Sequence, residues 1–151
     1  MEKANEPERA PELSGLVESA LFVENLAFAC GFYEQVLSLS KIELSEKGCV
    51  LRVADQRYLL LVTDEGARRS SETPYGIVPP CAVAQRDTAG PGHIAFGIPA
   101  DAVDSWRERL EKHGIKILSE ITWQHGARSM YFRDPDGHLI GLATAGIWEP
   151  V

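Results

Sequence analysis

The sequence predicts an α+β fold: two tandem β-α-β-β-β modules forming a curled mixed sheet around a cavity, with helices on its outer face. Three observations carry this. The order strand, helix, strand, strand, strand in residues 15–63 recurs in residues 91–144. Each opening strand alternates with period two, and each helix shows an apolar stripe at helical spacing. One such unit cannot bury both its helix and its sheet, so the two copies need each other.

Residues 1–14 are charged, hold Pro7 and Pro11, and lack periodicity, which predicts a flexible arm. A single domain then spans residues 15–148. Its first module opens with a strand at 18–23, where Glu18, Ala20 and Phe22 share one face and Ser19, Leu21 and Val23 the other. A helix follows from about Leu26, with Ala29, Phe32, Tyr33, Val36 and Leu37 at helical spacing. Strand-like runs at 41–45, 48–54 and 58–63 complete the module, joined by hairpin connections at Glu46-Lys47-Gly48 and Asp55-Gln56-Arg57.

The crossover, residues 64–90, has too much Gly and Pro for a core element, and loops this long in compact domains are usually functional or disordered. Tyr75 and Cys81 are its residues best suited to touch a ligand. The second module opens at residues 93–98, with His93, Ala95 and Gly97 on one face and Ile94, Phe96 and Ile98 on the other. Pro99 and an N-cap Asp101 start its helix, Val103, Trp106 and Leu110 form the stripe, and Gly114 ends it. Strands follow at 116–121, 129–133 and 139–143. The last two are joined by a type I turn, Asp134-Pro135-Asp136-Gly137. In the tail, residues 145–151, Ile147 and Trp148 are apolar and need cover from a partner or the cavity rim. Overlaying the modules puts Glu18 on His93 and Leu60 on Gly141.

The net charge of −7 offers no basic stripe to offset phosphate repulsion, which excludes nucleic acid and anionic membrane as partners. Three cysteines, Cys30, Cys49 and Cys81, without metal-type spacing predict reduced thiols. With no signal-peptide pattern and no apolar run long enough for a membrane span, a cytoplasmic location is expected.

Three segments, FYEQVLSL at 32–39, GHIAF at 92–96 and YFRDPDGHLI at 131–140, resemble the vicinal oxygen chelate superfamily. Its members include glyoxalase I, extradiol dioxygenases, fosfomycin-modifying enzymes and bleomycin-resistance proteins. The resemblance implies a cavity on the sheet face away from the helices, a small organic ligand, and commonly a homodimer. It also implies a divalent ion (Fe, Mn, Zn or Ni) held by residues on the first and last strands of the modules. Carried over, Glu18 and His93 match ligand positions, as metal ligands and as catalytic residues. Gly141 stands where the family commonly has Glu, and Leu60 departs from a further carboxylate position. Two ligands, where a catalytic site usually has three, imply weak or absent metal binding. Of possible substitutes, His125 lies in a connection that can swing inward, His138 is out of register, and Asp134 belongs to the turn.

A Gly in a strand often marks close approach of a ligand or another backbone. Phe22, Tyr58, Trp123 and Tyr131 are expected as aromatic walls beside Leu60, with Ser129 and Arg133 as polar anchors. Two function classes follow. One is a metal-assisted enzyme of the lyase or dioxygenase type. The other is a metal-free cavity protein that sequesters an organic or antibiotic-like ligand, or moves a proton through Glu18 and His93.

Overall fold

The first helix, α1 (Leu26–Leu37), starts where Asn25 Oδ1 accepts the Phe28 amide at 3.0 Å. It ends where Ser38 turns left-handed at φ 57°. In this computed structural model, which describes residues 9–82 and 90–151, that helix belongs to the first of two similar modules. Residues 1–8 of the expected arm and 83–89 of the crossover lie outside the described residues. Around α1 stand β1 (Glu18–Phe22), β2 (Ser40–Leu44), β3 (Gly48–Ala54) and β4 (Arg57–Val62). The second module holds β7 (His93–Gly97), α3 (Val103–Lys112), β8 (Ser119–Thr122), β9 (Arg128–Arg133) and β10 (Leu139–Ala143).

The modules form two separate four-stranded mixed sheets, β1-β4-β3-β2 and β7-β10-β9-β8, in place of the one curled sheet expected. In each, the opening strand lies parallel to the last strand of its own module, and the remaining pairs are antiparallel. A parallel pair needs a crossover, which the helix supplies. The edges β1 and β7 flank a groove of about 130 Å³, lined by Val17, Glu18, Tyr58, Ile94, Ala95 and Phe96 among others.

Two local expectations are corrected. Asp101 does not cap α3. It lies inside a 3-10 turn, Ala100–Ala102, closed by the Ala102 amide on Pro99 O at 3.0 Å, and α3 begins at Val103 with no side-chain cap. Within the crossover, where no element was expected, stand a single helical turn, α2 (Asp64–Ala67), and a small hairpin, β5 (Ser71–Thr73) and β6 (Gly76–Val78). Gly66 allows this: a Cβ there would overlap the backbone oxygen of Lys47, so only glycine lets α2 rest on that loop.

The core joins the modules. Leu21, Leu51, Leu59 and Leu61 of the first sheet pack with Ala29, Tyr33 and Val36 of α1. The same cluster continues into Val103 and Leu110 of α3 and Met130, Phe132, Ile140 and Leu142 of the second sheet. The Phe32 and Phe132 rings meet across the join at 6.4 Å between centroids. Polar bonds reinforce it. The buried Tyr33 hydroxyl donates to Asp134 Oδ2 at 2.6 Å, the Glu24 amide to Asp136 Oδ1 at 2.8 Å, and Arg109 Nε to Val36 O at 2.6 Å.

His138, 2% exposed, is a further stitch. Its Nδ1 accepts the Gly92 amide at 2.7 Å and its Nε2 donates to Phe22 O at 2.6 Å, so one neutral tautomer satisfies both modules. His138→Phe strands a half-buried carbonyl and a half-buried amide. It is expected to cost roughly 2–4 kcal/mol in a urea unfolding titration; an unchanged midpoint would show that the stitch carries no stability.

Candidate functional site

Strand register assigns the faces. Glu18 pairs with Tyr58, Ala20 with Leu60 and Phe22 with Val62. In the second module His93 pairs with Leu139, Ala95 with Gly141 and Gly97 with Ala143. Paired residues share a face. Their neighbours Leu21, Leu59, Leu61, Ile140 and Leu142 are in the helix-side core, so all of these residues lie on the face turned away from the helices. Ala20–Leu60 and Ala95–Gly141 are thus equivalent pairs, as the overlay of the sequence halves expects.

The second module brings five of the candidate residues together: His93, Trp123, Ser129, Tyr131 and Gly141. His93 is exposed, and its Nδ1 donates to Leu139 O at 3.1 Å, which in the neutral ring leaves Nε2 with a lone pair that has no partner among the described residues. Gly141 is buried although it carries no side chain. An added Cβ would lie 3.1 Å from Tyr131 Cε1 and 3.2 Å from Ala95 Cβ. The space that the missing side chain leaves is therefore filled by the Tyr131 ring, which also lies 6.4 Å from the His93 ring between centroids. A polar chain holds that ring. Trp123 Nε1 donates to the buried Ser129 Oγ at 2.7 Å, and Ser129 Oγ donates to the Tyr131 phenol oxygen at 3.2 Å. Because the phenol oxygen accepts there, its own proton is available to a guest.

The remaining candidates are spread over the first module and the loops. Glu18 is exposed and lines the groove between β1 and β7 with Ala95, two residues along from His93. Among the described residues no hydrogen bond or ion pair joins Glu18 to His93. Phe22, Tyr58 and Leu60 are half-buried on the same face as Glu18. Leu60 belongs to a separate cavity of about 190 Å³. That cavity is floored by Val50, Leu60 and Val62 and roofed by the crossover through Arg69, Ser71, Pro79 and Cys81. Cys81 lines it, whereas Tyr75 stands at the hairpin tip, 98% exposed. His125 is exposed at φ 65° beside the tail, near Ile147 and Trp148. His138 and Asp134 are in the buried seam between the modules, not on the site face.

The donor set does not fit a three-ligand metal centre. Among the described residues no cluster of three or more His, Cys, Asp or Glu is arranged to hold an ion. The third position is closed by Tyr131 against Gly141. Sequence reasoning named Tyr131, Ser129 and Trp123 as separate walls and anchors. It missed their linkage, because Trp123 lies in an irregular connection whose path no periodicity reveals. It also missed Lys47 and Arg69, the cations that line the Leu60 cavity.

Comparison with known proteins is consistent with this architecture. Residues 15–142 match the family model described as Glyoxalase/Bleomycin resistance protein/Dioxygenase superfamily. The chain is similar to the metallothiol transferase FosB of Shouchella clausii, 27% identical over 139 residues, covering 91% of this chain and 84% of that protein. Among solved structures it resembles lactoylglutathione lyase from Agrobacterium tumefaciens, with a TM-score of 0.74 and 27% identity over 91% of this chain and 98% of that one. It also resembles a variant of the fosfomycin resistance protein FosX from Listeria monocytogenes, solved with Mn(II) and 1S,2S-dihydroxypropylphosphonic acid. There the TM-score is 0.61 and the identity 25%, covering 87% of this chain and 90% of that one.

Proposed function

This chain belongs to the Glyoxalase/Bleomycin resistance protein/Dioxygenase superfamily, and on that premise we propose that it binds a small organic molecule at the His93–Tyr131–Gly141 face, holding a divalent ion at most weakly through Glu18 and His93. The observation that carries the reading is the Tyr131 ring lying across Gly141. Where a metal-dependent site would present a third anionic oxygen, this one presents an aromatic surface and a phenol proton. A guest stacks on the ring, accepts a hydrogen bond from Tyr131, and meets the Nε2 of His93 with a donor of its own.

The relative solved with Mn(II) favours a second reading, in which an ion bound by Glu18 and His93 polarises oxygen atoms of the guest. The two readings separate in one experiment. Mn²⁺ is titrated into protein purified without chelator, and binding of a phosphonate such as 1S,2S-dihydroxypropylphosphonic acid is followed with and without EDTA. Weak Mn²⁺ binding and chelator-resistant binding of the phosphonate are expected. Stoichiometric Mn²⁺ binding at micromolar protein, lost in His93→Ala, would instead establish the metal-assisted reading.

Trp148 is 93% exposed in the single chain, and Leu16 and Val17 ahead of β1 are also exposed. These surfaces support assembly as a homodimer in which a second copy covers the tail. Sedimentation at micromolar concentration is expected to give a dimer that Trp148→Ser weakens; a monomer at that concentration would overturn it. No helix among the described residues is long and apolar enough to cross a membrane.

A further inference from the structure

We propose that Cys30 and Cys49 form a reversible disulfide that locks α1 onto β3 when the protein meets hydrogen peroxide. The two sulfurs lie 2.8 Å apart inside the core, at 3% and 2% exposure, one on the helix and one on the strand beneath it. Nothing in the fold or in the guest-binding face needs two thiols there. A bonded pair requires about 2.05 Å, so closure needs a sulfur displacement of under an ångström.

The surroundings supply access and a base. Cys30 lines an opening beside Leu26, Glu34 and Lys41, on the helix side of β3 where the Cys49 sulfur also lies. Peroxide, little larger than water, enters there. The Cys49 sulfur attacks one peroxide oxygen, breaking the O–O bond to give a sulfenic acid, and its thiol proton joins the departing hydroxide as water. Cys30 then attacks that sulfur. Its proton passes to the Glu34 carboxylate, whose Oε1 is 3.4 Å from the Cys30 sulfur, and hydroxide leaves the sulfenic sulfur and departs as water. Two thiols and one peroxide yield one disulfide and two waters. Burial pushes the Cys30 thiol up to about 12, so it reacts as a thiol whose proton leaves during the attack.

The test uses Cys81→Ser, which removes the exposed thiol and any disulfide between chains. The variant is treated with hydrogen peroxide, unfolded, alkylated and weighed, then mapped by peptide. Loss of both alkylatable thiols with a mass lower by two hydrogens, a Cys30–Cys49 linked peptide, reversal by dithiothreitol, and a melting temperature raised by roughly 5–10 °C are expected. Glu34→Gln is expected to slow closure several-fold without preventing it. Two alkylatable thiols after treatment, or a mass raised by two oxygens on one cysteine, would overturn the proposal.

Discussion

Gly141→Glu is expected to destabilise the protein and to bring no gain in metal affinity, whereas the same change combined with Tyr131→Ala is expected to raise affinity for Mn²⁺ at least 10-fold over wild type. The first half follows from space. A Cβ at position 141 stands 3.1 Å from the Tyr131 ring and 3.2 Å from Ala95 Cβ, and the alanine, fixed on the neighbouring strand, has no rotamer to yield. Overpacking of this kind costs roughly 1–3 kcal/mol, and a carboxylate in a buried position adds a desolvation penalty. The second half follows from the donor count. With the ring gone, the new carboxylate joins Glu18 and His93 as a third ligand. Losing a mere second-shell partner typically costs roughly 10- to 100-fold in metal affinity, so gaining a ligand should change it by no less. Calorimetric titration and thermal unfolding of both variants read this out. If Gly141→Glu alone binds Mn²⁺ tightly at unchanged stability, Tyr131 is not the occupant of that position.

Asp134→Ala should be the most damaging single substitution outside the apolar core, by roughly 3–5 kcal/mol. The carboxylate is 5% exposed and accepts three bonds: the Tyr33 hydroxyl on Oδ2, and the amides of Asp136 and His138 on Oδ1 at 3.0 and 2.9 Å. Removing it leaves a fully buried phenol and two amides without their acceptor, which is the costly side of hydrogen-bond energetics. Urea unfolding checks the magnitude; a loss under 1 kcal/mol would mean that water replaces the carboxylate. The pair also sets an alkaline limit. Burial, reinforced by the neighbouring carboxylate, raises the Tyr33 phenol above its ordinary value. A group with a raised folded pKa stabilises fully below its unfolded pKa, about 10 for tyrosine, and loses that contribution as pH rises toward the folded value. Wild type should therefore lose stability above about pH 10, and Tyr33→Phe should lack that slope.

What could be read in advance was whatever obeys a period. The alternation in residues 18–23 and 93–98 assigned Glu18 and His93 to the face away from the helices, and both strands have that orientation. The Asp134–Gly137 turn was legible from its proline and glycine, and the Gly137 amide does bond Asp134 O at 3.0 Å. Contacts made across the fold left no such trace. His138 is out of register with the site, yet nothing local says that its ring reaches Phe22. Trp123 reaches Ser129 from a connection without repeat. The 3-10 turn displaced the Asp101 cap because the Ala102 amide bonds Pro99 O and Asp101 falls inside that turn. Gly141 was recognised as a gap in a donor set, but only the packing of Tyr131 shows the gap to be filled.

The Tyr33–Asp134 bond spans 101 residues, which bears on how the nascent chain matures. At roughly 5–20 residues per second, the first module waits about 5–20 s on the ribosome before its phenol acceptor is synthesised. During that interval the helix face of α1 carries an unsatisfied hydroxyl beside Phe32, whose partner Phe132 is equally late. Premature termination before Phe132 should therefore yield not a half-folded domain but a substrate for chaperones and proteases.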